Sequence, residues 1–269
     1  MYFCMDEIGF ENEAKIKTIS SESDRWKFLY DTALAYGFEG IHITPSLYDE
    51  FYLNLKNIPG YFKDFKLTLH LGGMYMVPEG KYAEFDRKME TMFDIAITHN
   101  IHDISIHPPY IHNLTKNEKN LTVELFHKIV NKWLKASIES GISLSLETHV
   151  SGLIFDGLKD FTKFIDLYPD IGVLIDISHN YYEPEYSEEE IIDILGSKNI
   201  KGLHISDAIR KAGFEKGTHL PIGNGTIDFS KLLGFFKKFP DLYGALEIKA
   251  PNEGIGNSLA KLKRITGGY

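Results

Sequence analysis

His70, His107, His149, His179 and His204 each stand near or just past the end of a short, β-rich apolar run, and Glu147, Asp176 and Glu247 occupy the same kind of place. Imidazole and carboxylate groups together make a ligand set suited to zinc, manganese, cobalt or iron. Several carboxylates buried side by side repel one another. Either a cation neutralises them or one or more carboxyls stay protonated. A lone histidine at a strand end is ordinarily a hydrogen-bonded structural residue, and a lone glutamate there an ion-pair partner. Six such residues at six successive strand ends, His70, His107, Glu147, Asp176, His204 and Glu247, call for a common cause. The remaining histidines His42, His99, His102, His112 and His127 read as surface or packing residues.

Positioning such residues requires a particular scaffold. Apolar runs that read as strands cover Tyr2–Met5, Gly40–Thr44, Lys66–Leu71, Asp103–His107, Ser143–Thr148, Gly172–Ile177, Lys201–Ser206 and Gly244–Lys249. Amphipathic stretches lie between them, among them Glu22–Tyr36, Lys81–His99, Lys119–Ser140 and Ser187–Gly196. Lys119–Ser140 places Val123, Phe126, Val130, Trp133 and Leu134 on one apolar face, mostly at helical spacing. Tyr36-Gly37 and Ser140-Gly141 end two of these segments with the glycine expected at a helix C-terminus. Trp26 and Trp133 lie in such stretches and are expected in the core. Strands alternating with helices imply βαβ units and a parallel sheet. Eight units favour closure into an α/β (β/α)8 TIM barrel, and 269 residues match the roughly 250 that such a barrel needs. Strand C-termini then converge on one face, where residues remote in sequence meet.

Composition narrows the function. No Gly-x-Gly-x-x-Gly follows the first strand and no Gly-Lys-Ser/Thr loop occurs, which argues against nucleotide-binding open sheets. The formal net charge is −9, whereas a nucleic-acid binder usually carries a basic footprint. Cys4 is the single cysteine, so no internal disulfide is expected. The first residues lack the pattern of a signal peptide, and no apolar stretch approaches the roughly 18 residues of a membrane span. A soluble cytoplasmic protein is expected, without a membrane partner. No linker or charge block divides the chain, the acidic run Glu183–Glu190 reading as a loop into a helix, so residues 1–269 are expected to form one domain.

Seven segments carry a resemblance: Leu67-Thr68-Leu69-His70, Ser105-Ile106-His107-Pro108, Leu146-Glu147-Thr148-His149, Ile175-Asp176-Ile177-Ser178-His179, Leu203-His204-Ile205-Ser206-Asp207, the stretch from His219 to Phe229, and Leu246-Glu247. In this order and spacing the chain resembles the xylose-isomerase-like TIM barrel superfamily. That superfamily includes endonuclease IV, ketose 3-epimerases, hydroxypyruvate isomerases and dehydroshikimate dehydratases. In the epimerase and isomerase branch, the resemblance implies one divalent ion held by Glu147, Asp176, His204 and Glu247. His179 and Arg210 would then touch substrate oxygens. In the endonuclease branch it implies two further ions, held with histidines like His70, His107, His179 and His219. That branch also has an aspartate two residues before the last of these, where this chain has Gly217. The dehydratase branch shares the Glu-x-His of Glu147 and His149, but its strand-7 His-x-Lys is His204-x-Ser206 here.

The resemblance thus implies a metal-dependent isomerase or epimerase of a sugar or hydroxy-keto acid. A zinc, manganese or cobalt ion would stabilise an enediolate, with Glu147 and Glu247 as ligands and general base or acid, and His179 and Arg210 orienting oxygens. The alternative is a phosphodiesterase acting on DNA through two or three ions. A third class, a barrel that only binds sugar, would leave costly clustered carboxylates without a use. The glycine-rich Pro221–Asp228 segment reads as a turn near the pocket, or as a backbone cradle for a phosphate. Gly72–Gly80, with Met74, Tyr75 and Met76, is expected to cover the pocket. Barrels of this superfamily occur as monomers, dimers and tetramers, so a homo-oligomer is compatible with the sequence.

Overall fold

The computed structural model describes residues 1–7, 9–44, 54–78, 80–148, 153–155, 157–182, 186–210, 212–236, 239 and 242–267. Eight strands, β1 (Tyr2–Asp6), β2 (Gly40–Ile43), β3 (Lys66–Leu71), β4 (Asp103–Ile106), β5 (Ser143–Thr148), β6 (Gly172–Asp176), β7 (Ile200–His204) and β8 (Tyr243–Leu246), form a closed barrel in sequence order. Every neighbouring pair is parallel, and β8 closes on β1 with Cys4 opposite Ala245. The chain is a single (β/α)8 TIM barrel.

Helices α1 (Phe10–Thr18) and α2 (Glu22–Tyr36) follow β1, and two 3-10 turns, Leu55–Asn57 and Gly60–Asp64, precede β3. Then come α3 (Lys81–His99), α4 (Lys116–Ser140), α5 (Leu158–Ile165), α6 (Ile177–Tyr182), α7 (Glu188–Leu195), α8 (Phe214–Gly217), α9 (Phe229–Phe236) and α10 (Asn252–Thr266). Gly37 and Gly141 end α2 and α4 with φ of 73° and 72°, a left-handed backbone that glycine adopts without a Cβ clash. Helix α4 starts three residues before the Lys119 expected from periodicity. Thr115 accepts from the Glu118 backbone while the Glu118 carboxylate accepts from Thr115, a reciprocal cap that fixes the earlier start. The apolar face of α4 also needs correction. Thr122, Phe126, Ile129, Trp133 and Ser137 face inward at three- and four-residue spacing, so Val123, one residue off that stripe, is exposed. Trp26 and Trp133 are buried as expected.

Two apolar regions result from the strand alternation. One side of each strand packs on the helices; Met5, Ile41, Leu69, Ile104, Leu146 and Ile175 belong to that large core. The other side points into the barrel, where Cys4, Leu174, Tyr243 and Ala245 make a small apolar plug. Above that plug the inward positions turn polar: His42, Thr68, His70, Ser105, Ser145, Glu147, Asp176 and His204 are all buried. A polar barrel interior is stable only if its groups satisfy one another or a bound ion.

Candidate metal centre

Several strands end one residue or more earlier than their apolar runs suggest, which leaves His107 and Glu247 just beyond the sheet. After β6 the chain turns at once into α6. Asp176 Oδ1 accepts the backbone N–H of His179 at 2.7 Å and the Ser178 hydroxyl at 3.1 Å. This cap pins one carboxylate oxygen, while the buried Oδ2 lies 3.3 Å from His179 Nδ1 and 3.9 Å from His204 Nδ1.

Glu147, Asp176, His204 and Glu247 offer one ligand atom each, all within 4.8 Å of one another. His204 stands at their centre, with Nδ1 3.1 Å from Glu147 Oε1 and 3.1 Å from Glu247 Oε2. His70, His107 and Glu147 form a second group by the same measure. Glu147 Oε2 lies 2.6 Å from His107 Nε2 and 3.3 Å from His70 Nε2. Ser105 donates to the Leu69 carbonyl at 3.3 Å and faces His70 Nδ1 at 2.9 Å. When that hydroxyl donates to the carbonyl it accepts from His70 Nδ1–H, and in this tautomer His70 turns its Nε2 lone pair toward the Glu147 carboxylate. Two acceptors then face each other, an arrangement that a cation between them would satisfy.

The electrostatics point the same way. Burial, then the charges of Glu247 and Glu147, push the Asp176 carboxyl well above the usual range despite His204 nearby. Burial acts on Glu147 too, but His107 and His204 outweigh it and hold its pKa well below the ordinary value. Glu247 is likewise held low, burial being overcome by His219 and His204. Burial would lower His204, yet Glu147 and Glu247 raise it well above an ordinary histidine. Burial brings His70 down to about 3 and also lowers His219. Without an ion, protons must do what a divalent cation would do better. The residues present fit a divalent metal, hard oxygens and imidazole nitrogens converging at the barrel mouth.

A third pair is incomplete. His179 Nε2 and His219 Nε2 lie 3.0 Å apart, and His219 Nδ1 is 3.6 Å from Glu247 Oε1. A Cβ on Gly217 would stand 2.7 Å from the Ile209 carbonyl oxygen and 2.8 Å from the Tyr182 ring, so the backbone there is closed to a carboxylate side chain. Arg210 turns its Nε to the Tyr181 carbonyl at 3.1 Å and Nη2 to the Tyr186 carbonyl at 2.8 Å, with its guanidinium over the Tyr181 ring. His149 lies outside the described residues, as does part of the Glu183–Glu190 run.

His42 is the residue that sequence reasoning missed. It is fully buried inside the barrel, its Nε2 3.0 Å from Nε2 of His204, and it forms a third close group with His70 and His204. The signal was available: in Gly40-Ile41-His42-Ile43 the two isoleucines face the helices, so His42 must face inward.

The glycine-rich Pro221–Asp228 segment resolves as an internally satisfied turn. Buried Asp207 accepts the backbone N–H groups of Ala208, Gly223, Gly225 and Ile227, with distances of 2.8 to 3.2 Å. Amides committed to a carboxylate are not offered to a phosphate. In the Gly72–Gly80 segment, the Met74 carbonyl accepts from Tyr110 N at 2.9 Å and Tyr75 packs on the Tyr110 ring, forming an apolar wall beside the loop after β4. A cavity of about 580 Å³ lined by Tyr2, Phe62, Lys66, His99 and Asp103 lies at the opposite end of the barrel, remote from the acidic cluster.

Residues 30–265 match the model of the xylose isomerase-like TIM barrel family. The chain belongs to that family. Among curated relatives, a probable endonuclease 4 of Ureaplasma parvum serovar 3 is 22% identical, the match covering 72% of this chain and 80% of that protein. Among solved structures, a D-tagatose 3-epimerase-like protein superposes with a TM-score of 0.76 at 16% identity, over 99% of this chain and 97% of the other. The IOLI protein with a binding zinc atom superposes with a TM-score of 0.68 at 15% identity, over 99% and 98%. Likeness at these identities establishes the shared barrel. Among the described residues, no helix of this xylose isomerase-like chain is long and apolar enough to cross a membrane.

Proposed function

We propose that this protein is a divalent-metal-dependent isomerase or epimerase of a sugar or hydroxy-keto acid. The carrying observation is the pair of glutamates, Glu147 on β5 and Glu247 after β8, that approach one imidazole nitrogen of His204 from two sides at 3.1 Å each. Glu147, Asp176, His204 and Glu247 would hold the ion, zinc, manganese or cobalt. When bound, it supplies positive charge that offsets the negative charge developing on substrate oxygens as a proton next to a carbonyl leaves.

The two glutamates differ in freedom. Glu147 is 1% exposed and has imidazole nitrogens against both oxygens, which suits a fixed ligand. Glu247 is 16% exposed and faces the mouth, so it is the better group to take and return the substrate proton. His179 and His219, joined edge to edge beside Glu247, would orient substrate oxygens. Arg210 would support this wall by holding the carbonyls of Tyr181 and Tyr186. The epimerase-like neighbour is consistent with this reading. Hydrogen–deuterium exchange at the carbon next to the carbonyl of ketose substrates tests it: exchange that requires added metal supports the proposal, and none with any ketose or hydroxy-keto acid counts against it.

The second reading is a metal-dependent phosphodiesterase acting on DNA. The His70–His107–Glu147 group favours it, because it would place a second ion beside the first, and the probable endonuclease 4 relative agrees. The closed position at Gly217 and the net charge of −9 weigh against it. Nicking of abasic-site DNA, with metal analysis of the purified protein, separates the two readings.

A further inference from the structure

We infer that His42 is a positioning residue for His204, accepting its Nε2–H and thereby fixing the tautomer in which Nδ1 presents a lone pair to the acidic cluster. This rests on the proposed metal role of His204.

The geometry leaves little choice of tautomer. His204 Nδ1 faces the carboxylates of Glu147 and Glu247, and its Nε2 faces His42 Nε2 at 3.0 Å. For Nδ1 to act as a ligand, the ring proton must sit on Nε2. That N–H points at His42 Nε2, which must then be an acceptor, so His42 carries its own proton on Nδ1. There it meets Thr68 Oγ1 at 2.6 Å. The result is a directed chain running from the cluster through His204 and His42 to Thr68. The two rings stand 79° apart with centroids 4.9 Å apart, so His42 meets its partner edge-on rather than by stacking. All three side chains are buried, so no water competes for these bonds.

Two other uses of His42 fit less well. As mere filling, an imidazole inside the barrel would be a costly choice beside the apolar plug of Leu174 and Ala245. As a ligand with His70 and His204, it would draw both nitrogens of His204 into coordination at once, at a centre with no carboxylate of its own.

Histidine ligands elsewhere commonly donate their second N–H to a carboxylate or carbonyl, and loss of such a partner typically costs about 10–100-fold in metal affinity. The test compares wild type with His42→Leu, His42→Gln and Thr68→Val, using cobalt(II) as the probe in competition with a chromogenic chelator. His42→Leu is expected to bind about 10–100-fold more weakly, with an altered cobalt absorption spectrum and the same number of ions per chain. His42→Gln is expected to stay within a few-fold of wild type, because its amide oxygen accepts from His204 and its amide nitrogen donates to Thr68. Thr68→Val nearly preserves volume and should shift binding in the same direction as His42→Leu, by less. In the metal-free protein, a hydrogen-bonded His204 Nε2–H proton should be visible by NMR in wild type and shifted in Thr68→Val, which tests the bond without any ion.

Wild-type affinity and spectrum in both His42→Leu and Thr68→Val would overturn the inference, and so would His42→Gln binding as weakly as His42→Leu. Loss of one ion per chain in His42→Leu would make His42 a ligand instead. Should His42→Leu fail to fold, His42→Gln, Thr68→Val and the NMR signal decide the matter. Failure of the wild-type protein to take up cobalt would remove the metal reading itself, a result separate from these.

Discussion

Glu247 sets one carboxylate oxygen 3.1 Å from Nδ1 of His204 and the other 3.6 Å from Nδ1 of His219, bridging the cluster of Glu147, Asp176 and His204 to the His179–His219 pair. Asp176 also reaches both, its Oδ2 lying 3.9 Å from His204 Nδ1 and 3.3 Å from His179 Nδ1, but it is fully buried where Glu247 is partly open. Replacing it by glutamine keeps the shape but removes the negative charge and the proton-accepting oxygen. We expect Glu247→Gln to abolish exchange next to the substrate carbonyl, a loss of about 10²–10⁴-fold for a general base. Thermal unfolding should confirm that the barrel persists. Full exchange activity in that variant would refute the assignment.

Metal uptake should release protons. In the metal-free chain the neighbouring glutamates outweigh burial and hold His204 protonated well above the ordinary histidine range, and Asp176 is also pushed up by burial and by Glu247 and Glu147. A lone pair on His204 Nδ1 and an ionised Asp176 are needed for coordination, so each proton must leave as the ion enters. The sign follows: below these raised values protons compete with the metal, and affinity falls as pH falls. The slope should be about tenfold per pH unit for each proton displaced. Titration calorimetry in buffers of different ionisation enthalpy counts the protons. An affinity flat from neutral to acid pH would contradict this account.

Much of this arrangement was legible in the sequence because strand ends in a barrel converge. His70, Asp176 and His204 lie on the last or next-to-last residues of their strands, and His107 and Glu247 immediately follow theirs. What escaped was the barrel's inner surface below the rim. His42 sits in a four-residue strand where Ile41 and Ile43 take one side and the histidine the other, an alternation too short to stand out in the sequence. Only closure makes one side of β2 polar, opposite Thr68 on β3. The orientation of Arg210 was equally hidden, since its partners are backbone carbonyls, which a sequence does not display. Val123 failed for a simpler reason: Thr122, a polar residue, holds the buried position on α4 that an apolar stripe assigns to its neighbour.

The loop after β7 depends on one side chain. Asp207 accepts four backbone amides, and a Cβ on Gly225 would collide with its carboxylate and stand 2.5 Å from the Ala208 carbonyl oxygen. Asp207→Ala leaves four donors without their acceptor, two of them, on Ala208 and Ile227, in buried bonds, and each buried unsatisfied group costs about 1–3 kcal/mol. We expect Gly225→Ala to lose roughly 1–3 kcal/mol by overpacking, and Asp207→Ala at least as much. Denaturant unfolding measures both. Inorganic phosphate should leave the wild-type transition unmoved, because the amides that would cradle it are occupied.

Supplying an acid at position 217 should not add an ion. The endonuclease-like pattern places an aspartate where this chain has Gly217, so Gly217→Asp is the obvious attempt to complete the His179–His219 pair. The backbone argues against success. The new Cβ would lie 2.7 Å from the Ile209 carbonyl oxygen, which itself accepts no relief from a flexible neighbour, and 2.8 Å from the Tyr182 ring. Gly217 N and O are also committed, to the Gly213 carbonyl at 2.7 Å and to Ile209 N at 2.8 Å. The segment therefore has to shift before any carboxylate can turn toward His219. We expect Gly217→Asp to lower the unfolding midpoint, by the equivalent of roughly 1–3 kcal/mol, and to bind the same number of ions as wild type. Elemental analysis after equilibration with zinc reads the count. A variant that gains one ion per chain without loss of stability would show that the loop yields more readily than its contacts imply, and would strengthen the phosphodiesterase reading over the isomerase.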